Sequence, residues 1–146
     1  MRLIDVTESL GAVVEPVWLQ RAEGVHRQLR ATLPTDYAGR LAQVFANGGR
    51  LAVAAEGEAV LGVALWRLIE NTYEGRRLYV DDLVTDEARR SRGVGKALLG
   101  HLEGKARQHG CDVMALDSGA QRAQAHKFYF REGMHIPGFC FRKELK

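Results

Sequence analysis

The chain has 146 residues, a length that suits one domain able to bury about two thirds of its unfolded surface. Hydrophobic residues make up 46% of it and charged residues 27%, which is ordinary for a globular protein. The net charge of +3 comes from interspersed basic and acidic residues, so it permits an anionic ligand without indicating nucleic acid. We therefore expect a single domain over residues 1–146 that binds no nucleic acid.

The apolar runs of the sequence are short. Asp5 interrupts the only run near the N-terminus, so no signal-peptide core is predicted, and every other run is much shorter than a membrane span. The histidines and cysteines show none of the spacings typical of metal sites. We expect a cytoplasmic protein with no membrane partner and no metal.

The first half of the chain is predicted to form a strand, two helical regions and a hairpin. Residues 2–6 favour the strand, and Pro16 and Gly24 disturb the helical pattern that follows, so a single helix is not predicted there. After a second helix, two segments rich in Val, Leu and Ala flank a short turn at 57–58, which indicates a β-hairpin.

The second half of the chain alternates strands and helices. The predicted elements are a strand at 79–85, a helix at 94–109, a strand at 111–117, a helix at 121–132 and a strand at 139–145. Phe139, Phe141 and Leu145 alternate with polar residues in that last segment, as in a half-buried strand. This order predicts one mixed α/β domain with helices on both faces of a mostly antiparallel sheet.

Gly93 and Gly95 lie at the turn between the strand at 79–85 and the next helix. Glycines there let backbone N–H groups converge, and the helix N-terminus adds a positive dipole end, so the turn is a candidate anion site. Arg90 and Arg92 strengthen this prediction. The spacing does not fit a nucleotide-triphosphate loop, which needs a glycine where Arg90 stands, or a dinucleotide-binding turn, which follows a parallel sheet.

The segment Arg90-Ser91-Arg92-Gly93-Val94-Gly95 resembles the Arg/Gln-x-x-Gly-x-Gly/Ala signature of the GNAT superfamily of N-acetyltransferases. A later segment, Ala125-His126-Lys127-Phe128-Tyr129, resembles the second motif of that family. The match covers about residues 79–134. The resemblance implies a twisted, mostly antiparallel sheet of six or seven strands, helices on both faces, and a β-bulge that splays the fourth strand.

The resemblance also implies that acetyl-CoA is the cosubstrate and that the glycine turn binds its pyrophosphate. By this resemblance a backbone N–H group of Leu83 or Val84 polarises the thioester carbonyl. The residues that it assigns to acetyl-CoA are Leu83, Val84, Arg90, Arg92, Gly93, Val94, Gly95, Lys96 and Phe128. The alternative is that the glycines only allow the helix to pack closely on the strand.

Two catalytic side chains follow from the same resemblance. Tyr129 matches the family tyrosine that protonates the leaving thiolate, the alternative being a core aromatic beside Phe128. Asp82 matches an acidic residue that accepts the amine proton or orients a water molecule, the alternative being an ion pair with an arginine. Alternation along a strand predicts that Asp81 and Asp82 point to opposite faces.

The acetyl acceptor is expected to be a small-molecule primary amine. The second motif, together with the segment that starts at Phe139, resembles the tail of bacterial enzymes that acetylate small amines, and the chain has no insertions to build a long peptide groove. His26, Arg27, Arg30 and Tyr37 can line the acceptor pocket, or they can form an exposed helix face. A protein or peptide amine, a catalytically silent acyl-CoA-binding module and an interaction protein remain alternatives. A homodimer is compatible with each of them.

Overall fold

The computed structural model describes residues 1–90 and 92–146, so Ser91 of the glycine-turn motif lies outside the described residues. The chain divides into two compact units, Met1–Ala115 and Leu116–Lys146. The elements are β1 (Arg2–Asp5), α1 (Pro16–Leu29), α2 (Tyr37–Ala46), β2 (Arg50–Glu56), β3 (Ala59–Asn71), β4 (Gly75–Thr85), a short 3₁₀ turn (Glu87–Arg89), α3 (Val94–Gln108), β5 (Val113–Leu116) and α4 (Ala123–Arg131). Only α4 lies wholly in the second unit.

Within the described residues, five strands form one sheet in the order β1-β2-β3-β4-β5. The pairs β1–β2, β2–β3 and β3–β4 are antiparallel, and β5 runs parallel to β4 after the crossover through α3. The predicted mixed α/β class with a mostly antiparallel sheet is therefore confirmed, although the described sheet has five strands rather than six or seven.

The prediction of a strand at 139–145 is wrong, because residues 134–146 form neither helix nor strand. Phe139, Phe141 and Leu145 are 86%, 94% and 89% exposed. Alternation of apolar and polar side chains marks a segment that is able to be a strand, but a strand also needs a neighbour for its backbone hydrogen bonds. Sequence alone does not supply that neighbour.

The two faces of the sheet in the first unit carry side chains of different size. Val63 and Leu65 of β3 belong to the core that α1 and α2 close, whereas Gly62 and Ala64 alternate to the other face. A Cβ atom added to Gly62 would lie 2.7 Å from Cγ1 of Val94 and 2.9 Å from Cδ1 of Leu98. The glycine thus permits α3 to pack closely on the second face, as the predicted two-sided arrangement requires.

Helix α1 is one continuous helix, contrary to the prediction that Pro16 and Gly24 interrupt it. Pro16 occupies the first turn, where a missing N–H group costs nothing and the fixed φ of proline favours the helix. Gly24 is exposed, and a Cβ atom there would meet nothing within 4 Å, so the position imposes no packing constraint. Within the described part of the chain, no helix is long and apolar enough to cross a membrane.

Candidate functional site

A β-bulge in β4 places two acidic side chains beside one another. The register pairs Leu65 with Asp82 but Trp66 with Val80, so Asp81 is an extra residue on β4. The bulge that the resemblance implied for the fourth strand is therefore present. It also breaks the alternation, and Asp81 and Asp82 both line one pocket instead of pointing to opposite faces.

This pocket has a volume of about 590 Å³ and lies in the first unit. Its walls come from α1, the connection between α1 and α2, α2 itself, β3 and β4. The lining residues are His26, Arg30, Thr32, Leu33, Pro34, Arg40, Leu41, Val44, Leu65, Tyr79, Asp81 and Asp82. Arg27 fixes the connecting segment, because its guanidinium donates to the carbonyl oxygens of Leu33 at 2.7 Å and Pro34 at 2.6 Å.

Asp82 is buried in a network of hydrogen bonds with α1. His26 Nε2 lies 2.7 Å from one carboxylate oxygen, and Arg30 Nε donates to the other at 2.8 Å. Burial by itself raises the pKa of the Asp82 carboxyl, but the hydrogen bonds from His26 and Arg30 outweigh it and hold that pKa below its ordinary value. Asp82 is therefore an ionised carboxylate at neutral pH.

Tyr37 extends this network to α2. Its hydroxyl lies 2.7 Å from Nδ1 of His26, whose side chain is 1% exposed. Because an ionised carboxylate only accepts hydrogen bonds, His26 Nε2 donates to Asp82, and the Tyr37 hydroxyl is the hydrogen-bond partner of Nδ1. Burial, together with the Glu23 and Asp82 carboxylates, raises the pKa of Tyr37, so its hydroxyl keeps its proton.

Asp81 has a different partner from its neighbour. Arg67 of β3 binds it in a bidentate manner, with Nε 2.9 Å from Oδ1 and Nη2 2.6 Å from Oδ2. Such fork-to-fork pairing uses both carboxylate oxygens at once. Each acidic residue of the pocket is thus already paired with an arginine.

The start of α3 has the backbone geometry of an anion site. Gly93 precedes the helix with φ of 76°, a left-handed conformation that favours glycine, and it has no side chain to cap the first turn. The Ala97 N–H group donates to the Gly93 carbonyl at 3.0 Å, which is the first hydrogen bond of the helix that involves Gly93. The N–H groups of Val94, Gly95 and Lys96 therefore precede the first bonded residue of the helix.

The side chains around this turn are basic and accessible. Arg90, Arg92 and Lys96 are exposed, whereas Arg89 lies 3.6 Å from Asp86 in an ion pair. Leu83 and Val84, at the end of β4, are buried and pair with Ala64 and Val63 of β3. The predicted site residues 82–84 and 92–96 thus lie in the same unit. The first group is on β4 and the second is at the start of α3, and both β4 and α3 approach Gly62 of β3.

Phe128 and Tyr129 belong to the second unit. Both lie on α4, are half-buried and have ring centroids 5.4 Å apart. Burial raises the pKa of the Tyr129 phenol, and Arg122 acts in the opposite direction. Tyr129 is therefore a protonated donor at neutral pH.

The sequence analysis did not identify Arg40 and Arg67 as site residues. Tyr37 and Arg40 are three residues apart on α2, and His26 of α1 lies four residues before Arg30, which caps that helix; these are the spacings of one helix face. These spacings are visible in the sequence, but they do not show which strand each helix face packs against. Among residues 1–90 and 92–146, no group of three or more His, Cys, Asp or Glu side chains is placed to hold a metal ion.

Comparison with known proteins is consistent with the two motifs. The model of the acetyltransferase (GNAT) family matches residues 17–134. The uncharacterized N-acetyltransferase YhdJ of Bacillus subtilis is 42% identical over 74 residues, which are 50% of this chain and 52% of that protein. The aminoalkylphosphonate N-acetyltransferase of Salmonella typhimurium is 36% identical over 66 residues, 45% of this chain and 43% of that protein. The matches thus span about half the length of these curated relatives.

A solved structure is similar over nearly the whole chain. It is that of AAC(6')-Iy in complex with the bisubstrate analog CoA-S-monomethyl-acetylneamine. The TM-score is 0.82 with 15% sequence identity, and the match covers 99% of this chain and 97% of that chain. At this identity the likeness shows a common fold.

Proposed function

The chain belongs to the acetyltransferase (GNAT) family, and from that premise we propose that it transfers an acetyl group from acetyl-CoA to a primary amine of a small molecule. One observation carries the proposal: β4 connects two candidate sites. Its bulge contributes Asp81 and Asp82 to the pocket, and its C-terminal end leads through a short turn into Gly93 and α3. A cosubstrate bound at the turn and an amine bound in the pocket would meet along this strand.

The turn before α3 suits the pyrophosphate of acetyl-CoA. The N–H groups of Val94, Gly95 and Lys96 supply donors at the positive end of the helix dipole. The exposed Arg90 and Arg92 add two guanidinium groups able to contact phosphate oxygens. In this proposal the backbone positions the phosphates, and the arginines add charge.

The thioester would lie against the end of β4. There a backbone N–H group of Leu83 or Val84 would donate to the carbonyl oxygen and stabilise the negative charge that develops during attack. Both residues are buried, so the developing charge would be screened from water and the hydrogen bond would be strong. Phe128, which the family resemblance assigns to acetyl-CoA, is kept as a proposed cosubstrate contact.

The reaction moves three protons. The acceptor ammonium loses one to water, and the free amine then attacks the carbonyl carbon. As the carbon–sulfur bond breaks, the CoA thiolate takes the phenol proton of Tyr129, and the further proton that the attacking nitrogen must release passes through water to restore the phenol. The lowered pKa of Asp82 makes it a weak proton acceptor. We therefore assign Asp82 the task of orienting the amine or its water by accepting a hydrogen bond, while His26 and Arg30 hold its carboxylate in place.

The pocket favours a small acceptor. A volume of about 590 Å³ lies in the range of small-molecule sites. Arg27 ties the connection between α1 and α2 back onto α1, which fixes the part of the pocket wall that Leu33 and Pro34 form. The name of the Salmonella relative, an aminoalkylphosphonate N-acetyltransferase, also describes a small amine as acceptor of that protein.

A panel of primary amines tests the proposal. Purified protein is mixed with acetyl-CoA and each amine, release of free thiol is followed, and product mass is measured, with an amine-free reaction as the blank. We expect thiol release that depends on the amine and a product heavier by one acetyl group. Saturable binding of acetyl-CoA without amine-dependent thiol release from any acceptor would instead indicate a silent acyl-CoA-binding module.

A further inference from the structure

Both acidic residues of the pocket are already neutralised by arginines. Asp82 accepts from Arg30 at one oxygen and from His26 at the other, and both oxygens of Asp81 are bound by Arg67. Arg30 Nη2 also donates to the backbone carbonyl of Asp81 at 3.1 Å. Paired carboxylates of this kind hold the pocket together and leave little unbalanced negative charge for a polycation.

Arg40 is the lining residue whose charge is not balanced. It projects from α2, is exposed, and donates through Nη1 to the neutral side-chain amide of Gln43 at 3.0 Å. Across the described residues, no carboxylate lies within ion-pair distance of it. The pocket therefore combines balanced charges on its β4 side with one unpaired guanidinium on its α2 side.

Part of the pocket lining is apolar and is formed by Leu33, Leu41, Val44 and Leu65. They offer contact to a short carbon chain, and a carbon chain transferred from water onto such side chains gains hydrophobic stabilisation. The lining is thus suited to a molecule with a polar group at each end.

We propose, resting on the proposed function above, that the acetyl acceptor is an amine that also carries an acidic group, and that Arg40 binds that group. The acidic group is a carboxylate, phosphate or phosphonate, which a guanidinium binds with charge-assisted hydrogen bonds. The amine end then lies on the β4 side, next to Asp82. Polyamines and lysine-rich peptides are poor acceptors, because they bring a second positive charge towards Arg40 and find no unpaired carboxylate.

Four acceptors of similar length test this inference: propylamine, β-alanine, 3-aminopropylphosphonate and 1,3-diaminopropane. The measured quantity is kcat/KM for each, from thiol release at saturating acetyl-CoA. We expect the preferred acid-bearing amine to exceed propylamine by about tenfold or more, since one charge-assisted hydrogen bond accounts for such a factor. We expect 1,3-diaminopropane to be the poorest of the four. Comparison of β-alanine with the phosphonate identifies which acid is bound.

Variants at Arg40 show whether this residue carries the preference. Arg40→Gln should bring the ratio of acid-bearing amine to propylamine close to one, and Arg40→Glu should favour 1,3-diaminopropane. Arg107→Gln removes the same charge from an exposed position on α3 and should keep the wild-type ratio. Thermal unfolding of all three variants checks that the fold is kept.

The outcomes separate the two proposals. If no amine in the panel is acetylated, the proposed function fails. If propylamine or 1,3-diaminopropane is acetylated as fast as the acid-bearing amines, or if Arg40→Gln keeps the wild-type ratio, the proposed function stands and this inference is overturned.

Discussion

The two candidate sites in the first unit are built by different means. The turn before α3 is a run of consecutive residues in which the backbone supplies the donors, and Gly93 sets its geometry with φ of 76°. The pocket instead joins side chains from α1, α2, β3 and β4, linked through Asp82. Substitutions that keep the backbone should therefore be mild at the turn, while the loss of one side chain should be severe in the pocket.

The largest effect is expected for Asp82→Asn. Asp82 is 9% exposed and accepts hydrogen bonds from His26, which is 1% exposed, and from Arg30, which is 51% exposed. Losing its charge should lower the free energy of unfolding by about 2 to 3 kcal/mol, because the buried hydrogen bond to His26 is weakened while Arg30 can turn to water. Asp81→Asn is the comparison variant, because Asp81 is 21% exposed against 9% for Asp82 and has no buried histidine as a second partner, so its loss should cost less. Urea denaturation measures both variants. An equal loss for the two variants would contradict the central place of Asp82 in the pocket.

Tyr129→Phe tests the side chain that we propose as the general acid. Loss of a general acid should lower kcat by about a hundredfold while the affinity for acetyl-CoA changes little. Steady-state thiol release gives kcat, and calorimetric titration gives the dissociation constant. An unchanged kcat would remove Tyr129 from the mechanism.

A smaller effect is expected at the turn itself. Gly93→Ala forces a Cβ atom into the left-handed region and should weaken acetyl-CoA binding by about tenfold. Gly100→Ala, within α3, is the control, because a Cβ atom there meets nothing within 4 Å and alanine favours the helix. Calorimetry on the pair should show a weakened affinity for the first variant only.

The smallest effect is a shift of pH dependence in His26→Gln. The hydrogen bonds from His26 and Arg30 lower the pKa of Asp82, so its contribution is present above the ordinary pKa of an aspartate and is lost as the pH falls through the folded value. Losing His26 raises that pKa, so the acid limb of the kcat/KM profile should move to higher pH. A limb that stays at the wild-type pH would show that ionised Asp82 is not required.

The sequence was a better guide to the turn than to the pocket. Gly93, Gly95 and the arginines are contiguous, so their spacing is visible without a fold, and α3 begins at Val94 as predicted. The pocket depends on Asp81 being an extra residue in the ladder, which no local pattern signals. His26 and Asp82 are 56 positions apart, so only the packing of α1 on β4 brings them to 2.7 Å.

The proposal that the turn before α3 binds the pyrophosphate is tested most directly by calorimetric titration of the protein with acetyl-CoA and with acetyl-pantetheine, which lacks the pyrophosphate. If the turn before α3 binds the pyrophosphate, acetyl-CoA should bind saturably and acetyl-pantetheine at least about tenfold more weakly. No detectable binding of acetyl-CoA at millimolar concentration, or equal affinity for the two thioesters, would contradict the account.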